Sequence, residues 1–124
     1  MGYDFIFEKA KDASFISFPC EYGEIEMEAS TFPWKILRDY LMAKGARENL
    51  GNNSLIWEIG GQGTIYITGT DSYVSLDMHA EWSPLLSLFV WLRERDPNVV
   101  LADVNEGLYY DPDSFEDFMK SLAG

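Results

Sequence analysis

The chain has 124 residues, 47% hydrophobic and 15% aromatic, a size and composition typical of one folded domain and unlike those of a disordered segment. Its 21 acidic and 9 basic residues give a net charge of −12, which argues against binding to nucleic acid or to an anionic membrane. No apolar run is long enough for a membrane-spanning helix, and the first residues lack the basic segment of a signal peptide. We therefore expect a cytoplasmic protein.

The first quarter of the chain predicts three short strands. Residues 3–7 alternate between two faces, and residues 14–18 form a second apolar run that Pro19 ends. Residues 24–29 alternate again, which predicts a third strand with an acidic face made of Glu24, Glu26 and Glu28.

A helix and three strands follow. The helix is predicted to start at Ser30 and Thr31 and to end near Gly45. The strands are predicted over residues 55–59, 64–68 and 73–82, with short turns between them. Short turns between successive strands predict an antiparallel meander.

The last third predicts a helix over residues 83–95, apolar nearly all round and therefore covered on most sides. Strands over residues 99–104 and 108–110 follow, and a terminal helix begins after Asp111. The sequence thus predicts a single α+β domain over residues 1–124, a mostly antiparallel sheet with a central meander and about three helices packed on it.

One row of residues could carry chemistry. Asp77, His79 and Glu81 share one face of a predicted strand, where they could bind a metal or orient His79 as a general base. Successive members of the row lie about 7 Å apart, which is wide for ligands of one ion. We therefore predict no metal site and no cofactor, and keep a small hydrolase-like enzyme that uses His79 with Asp77 or Glu81 as an alternative.

Three other motifs have structural explanations. Cys20 and His79 are the only residues for a thiol dyad, but a lone cysteine more often packs in a core. The run from Gly60 to Gly63 precedes a strand, as a hairpin turn does and a phosphate loop does not. Asp111 to Ser114 is typical of a helix cap.

The distribution of acids is the most informative feature. Between residues 96 and 117 there are seven acidic residues and no Lys or Arg. Two interpretations are open: a generic solubilising surface, or a surface for a basic partner with exposed aromatics beside it as anchors. The second is favoured by the cost in stability of like charges in a row. The predicted partner-binding residues are Asp103, Glu106, Tyr109, Tyr110, Asp111, Asp113, Glu24, Glu26 and Glu28.

In size, charge and single-domain form, the chain resembles small acidic bacterial immunity proteins of polymorphic or contact-dependent toxin systems. The first strand, Tyr3 to Phe7, and the segment from Gly107 to Pro112 before the last helix add to this resemblance. It implies a non-enzymatic protein that neutralises a cationic toxin domain by direct binding. Besides the enzyme, a ligand-pocket protein or an assembly subunit remains an alternative.

Overall fold

The computed structural model describes residues 3–28, 31–51 and 53–123, which form one antiparallel sheet of eight strands and three α-helices. The helices are α1 (Trp34–Ala43), α2 (Ser83–Arg95) and α3 (Pro112–Ala123). The sheet order is β2-β8-β7-β1-β6-β5-β4-β3. The strands are β1 (Tyr3–Lys9), β2 (Cys20–Glu21), β3 (Arg47–Glu48), β4 (Ser54–Glu58), β5 (Gly63–Gly69), β6 (Tyr73–Ala80), β7 (Val99–Asp103) and β8 (Leu108–Tyr110).

The predicted α+β class, with its meander of β4, β5 and β6, is confirmed. Alternate residues of the strands form the main core with all three helices. Phe5 of β1 lies 5.4 Å from Phe115 of α3, and Phe7 lies 5.5 Å from Phe89 of α2, measured between ring centroids. Burying each such ring stabilises the fold by about 1.5–3 kcal/mol, so the aromatic content of the sequence is largely core.

The opposite face of the sheet is covered only in part. The segment of residues 10–28 folds over β1, β7 and β8 and closes a second, smaller core that includes Cys20, Ile25 and Val100. Farther along the same face, β5 and β6 leave Tyr66 and His79 exposed. None of the helices in the described residues is long and apolar enough to cross a membrane.

Two predicted strands are wrong. Residues 14–18 lie in a loop, and strand pairing begins only at Cys20. Phe18 packs against the smaller core while Phe15 is 93% exposed, so the apolar run packs as a loop without a ladder. The segment of residues 24–29 makes a single bridge, Ala10 to Met27, and its Ala29 lies outside the described residues. Its alternation reflects a loop that buries Ile25.

Two boundaries in the structure differ from the predicted ones, the start of α1 and the end of β6. Helix α1 begins at Trp34, because the amide of Phe32 donates a 2.7 Å hydrogen bond to the carbonyl of Asp71 and thereby ties the preceding segment to the β5–β6 turn. The predicted start at Ser30 lies outside the described residues. Strand β6 ends at Ala80, two residues earlier than predicted, and Trp82 immediately precedes α2.

The prediction that α2 is covered on most sides is wrong. Its buried residues, Leu85, Leu88, Phe89 and Leu92, recur at helical spacing and form one face. Val90 on another face is 41% exposed. The edge strand β3 was also not predicted, since two exposed polar residues carry no alternation to detect.

Candidate functional site

One end of the sheet brings together segments that are distant in sequence. Strand register places the end of β7 beside the start of β1, since Asp103 pairs with Phe5. Tyr3 in turn pairs with Met78 near the end of β6. On the other side, Glu21 at the end of β2 pairs with Leu108. We call this end, where β7 and β2 finish and β1 starts, the Tyr3 end of the sheet.

Asp103 is buried beneath this end. It is fully inaccessible to solvent, and its carboxylate accepts hydrogen bonds from the Tyr3 hydroxyl at 2.8 and 3.0 Å and from the amides of Asn105 and Glu106 at 3.0 and 3.2 Å. These bonds fix the β7–β8 turn and the first residue of β1. The prediction that Asp103 contacts a partner does not fit this burial; the carboxylate holds the turn.

Three exposed acids on the β2 and β7–β8 side of the Tyr3 end form what we call the acidic rim: Glu21, Glu24 and Glu106. The amide of Tyr22 donates a 3.1 Å hydrogen bond to the carbonyl of Gly107, which brings the loop after β2 against the β7–β8 turn. Glu24 accepts a 2.8 Å hydrogen bond from the amide of Glu21. Among the described residues, none of the three carboxylates forms a salt bridge.

The predicted exposed anchors, Tyr109 and Tyr110, are buried, with 7% and 3% of their surface accessible. Tyr109 faces the smaller core, and burial, with Glu8 as charge and hydrogen-bond partner, raises its pKa. Tyr110 faces the main core. Burial, together with the charges of Asp103 and Glu106, raises the pKa of Tyr110 to about 12. Neither ring is available to a partner.

Asp111 and Asp113 lie at the opposite end of the sheet from the acidic rim. Asp111 caps α3: its carboxylate accepts a 2.9 Å bond from the amide of Ser114, whose hydroxyl accepts a 3.0 Å bond from the amide of Asp111. The predicted cap is confirmed. Both acids also act on Arg93, where burial lowers the guanidinium pKa and their charges oppose that shift. The acids of residues 96–117 are therefore divided between two ends of the sheet.

The predicted row of Glu24, Glu26 and Glu28 is likewise divided. Glu26 lies 3.6 Å from the ammonium of Lys11. The amide of Glu28 donates a 2.7 Å bond to the carbonyl of Lys9, at the far end of β1. Only Glu24 belongs to the acidic rim.

Beside the acidic rim there is an open cleft of about 530 Å³, within the roughly 300–1,000 Å³ common for ligand sites. Its lining residues come from β1, β6 and the segments around them: Tyr3, Gln62, Met78, His79, Ala80, Glu81 and Trp82. The rings of Tyr3 and Trp82 lie 4.9 Å apart. Glu81 is exposed at the cleft, and its carboxylate lies 3.4 Å from the side-chain amide of Gln62.

Tyr3 connects the cleft to the acids at the Tyr3 end of the sheet. Its hydroxyl bonds to Asp103, and its pKa is raised by burial first and then by the hydrogen bond and charge of Asp103 and the charge of Glu106. The negative potential of this end therefore reaches the cleft.

Of the predicted row of Asp77, His79 and Glu81, only Asp77 and His79 form a pair. Its Nε2 atom lies 3.1 Å from the carboxylate of Asp77, whereas Glu81 contacts Gln62 instead. The described residues that line the cleft include no Ser, Thr or Cys, and the one hydroxyl among them, that of Tyr3, is hydrogen-bonded to Asp103. In the described part of the chain, no three His, Cys, Asp or Glu side chains are placed to hold a metal ion.

The structure also separates Cys20 from His79. Their strands, β2 and β6, are four strand spacings apart in the sheet, or about 19 Å. Cys20 is buried, and burial raises the pKa of its thiol. The two residues do not form a dyad.

In contrast to the acidic rim, the outer edge around α1, β3 and β4 is rich in ion pairs. Arg47 lies 2.7 Å from Glu58, and Arg38 contacts Glu48. Lys35 lies 3.0 Å from Asp39. We call these six residues the paired edge.

Sequence reasoning missed Glu21, Tyr3 and Trp82 as parts of one site. Tyr3 is the first residue of the predicted strand 3–7, and Trp82 is the last residue of the predicted strand 73–82. The alternation in each strand does not show that these two residues meet. Glu21 follows Cys20 in a segment without periodicity. Only the register of β2, β8, β7, β1 and β6 brings these residues together.

No protein-family model, no curated protein and no solved structure matches this chain.

Proposed function

We propose that this chain is a binding protein that uses its acidic rim to hold a basic protein, and that it acts as an immunity protein against a cationic toxin domain. The observation that supports the proposal is the placement of Glu21, Glu24 and Glu106 at one end of the sheet, with no salt bridge to any of them among the described residues.

Physical chemistry supports this use of the acidic rim. Three exposed carboxylates at one end of the sheet concentrate negative charge there, and such a concentration attracts a cationic surface. Complementary charge raises association rates and disfavours wrong partners more than it adds affinity. An inhibitor that must capture a toxin quickly benefits from both effects.

The first experiment separates a local surface from net charge. The rim variant carries Glu21→Lys, Glu24→Lys and Glu106→Lys. The control carries Asp71→Lys, Glu94→Lys and Asp117→Lys, three exposed acids elsewhere that change the net charge equally. With an immobilised decalysine peptide as the probe, the association rate should fall about tenfold or more for the rim variant and much less for the control. Equal losses would show that net charge alone acts.

The second experiment tests immunity itself. Wild type, rim variant and control serve as baits in extract of the native host, and proteins retained by wild type and control but lost from the rim variant are identified. Such a protein should arrest growth when it is expressed alone in a test bacterium. Co-expression of wild type should restore growth, and the rim variant should not. A retained protein that is harmless, or toxicity that the wild type leaves unchanged, would overturn the immunity proposal.

A further inference from the structure

The cleft beside the acidic rim combines aromatic rings with a carboxylate. Two aromatic rings, Tyr3 and Trp82, lie side by side at its wall, and a carboxylate, Glu81, lies at its mouth. The side-chain amide of Gln62 adds a polar neighbour 3.4 Å from that carboxylate.

The cleft has a stable shape because its parts are anchored. The amide of Glu81 donates a 2.9 Å bond to the carbonyl of Gln62, which ties the β4–β5 connection to the segment after β6. Trp82 packs edge-on against Phe5 at 5.0 Å and stacks with Phe115 at 6.1 Å, measured between ring centroids, so the position of its ring is fixed by the main core. A ring held in this way can receive a ligand with little loss of conformational entropy.

The electrostatics select a cation. Among the described residues, no Lys or Arg lines the cleft, whereas Glu81 does, and the buried Asp103 accepts a hydrogen bond from the Tyr3 hydroxyl. A planar cation suits an aromatic wall best, because guanidinium stacks on aromatic faces and its fork of donors matches a carboxylate. An ammonium group is more strongly hydrated and lacks the flat face.

We propose that the cleft formed by Tyr3, Gln62, Glu81 and Trp82 receives an arginine side chain of the protein partner, with the guanidinium against the aromatic wall and paired with Glu81. The inference rests on the proposed function, and it names the group through which the basic partner is recognised. The acidic rim then supplies attraction at long range, and the cleft supplies the specific contact.

The test uses a blocked tripeptide with arginine between two glycines, and the same peptide with citrulline, the neutral isostere of arginine, or with lysine. Binding is followed by the NMR signals of the Trp82 indole and of the amides of residues 79–82. We expect the arginine peptide to shift these signals with a dissociation constant on the order of 1–10 mM. Citrulline should bind roughly tenfold more weakly, and lysine should fall between the two.

Glu81→Gln should weaken the arginine peptide about threefold, while the matched variant Glu94→Gln on α2 should leave it unchanged. Equal binding of citrulline, tighter binding of lysine, or shifts confined to other residues would overturn the inference. Its failure is distinguishable from that of the proposed function, because Glu81 lies outside the rim variant. If the rim variant loses binding to decalysine and the arginine peptide does not shift the cleft signals, the proposed function is supported and the arginine site is overturned. If the rim variant binds decalysine like wild type and the arginine peptide shifts the cleft signals, the arginine site is supported and the role of the acidic rim is overturned.

Discussion

The acidic rim and the paired edge are both rich in acidic residues, but they differ in what surrounds those residues. On the paired edge, Glu48 and Glu58 each have an arginine within reach. On the acidic rim, none of Glu21, Glu24 and Glu106 forms a salt bridge within the described residues. The bases of the paired edge thus offset its acids, whereas the acidic rim keeps its negative charge, with Glu24 held by the amide of Glu21.

The comparison also shows what separates the buried from the exposed acid within one turn. Asp103 and Glu106 are three residues apart, yet the first is inaccessible and has four hydrogen bonds, and the second is exposed. One acid therefore builds the turn, and the other is free to act on its surface.

The largest expected effect is at this buried acid. Asp103→Ala removes the acceptor for the Tyr3 hydroxyl and for two amides, and it should lower the free energy of unfolding by about 3 kcal/mol, because three part-buried donors lose charge-assisted bonds. Urea denaturation monitored by tryptophan fluorescence measures the loss. Asp103→Asn, which retains an acceptor oxygen, should cost less than Asp103→Ala. A cost under about 1 kcal/mol for Asp103→Ala would mean that the hydrogen bonds do not hold the turn.

Much of the fold could be predicted from the sequence, because hydrophobic periodicity reports which residues face a core. Strand β6 shows this best, with Val74, Leu76 and Met78 buried at every second position as alternation requires. The failures lie where an apolar residue packs without periodic structure, as Phe18 and Ile25 do in the loop over the second core.

The candidate site could be predicted only in fragments. Glu106 and Glu24 were named from local charge density, but that density also selected the buried Asp103 and the helix cap at Asp111. Which acids share a surface depends on the pairing of β2 with β8. Such pairing between distant segments leaves no mark in a local pattern.

A second expected effect appears at alkaline pH and tests whether the acids at the Tyr3 end of the sheet raise the pKa of Tyr110. The pKa of Tyr110 is raised to about 12 by burial, then by Asp103 and Glu106. A pKa raised in the folded state gives stability that is complete below the unfolded pKa of about 10 and is lost as the pH rises through the folded value. We therefore expect the free energy of unfolding to fall between about pH 10 and pH 12.

Glu106→Gln removes one of the charges that raise the Tyr110 pKa, so that pKa should move down, toward its ordinary value. Tyrosinate absorbance during a pH titration of the folded protein measures the late-ionising fraction, and Tyr110→Phe identifies the component that belongs to this residue. The matched control is Glu94→Gln on α2. If both variants shift the Tyr110 component equally, the ionisation of this tyrosine responds to net charge, and Glu106 has no local effect on it.

The smallest expected effect compares one acid from each region. Glu58→Gln breaks the exposed pair with Arg47 and should destabilise the protein by about 0.3–0.5 kcal/mol. Glu106→Gln relieves repulsion on the acidic rim and should stabilise it by a few tenths of a kcal/mol. The two changes are chemically identical and equal in net charge, so opposite signs can arise only from their surroundings. Urea denaturation at an ionic strength of roughly 0.01 M, where the Debye length is about 30 Å, gives the largest difference. At roughly 1 M, where it is about 3 Å, the two variants should converge, and equal signs at low salt would contradict the distinction between the acidic rim and the paired edge.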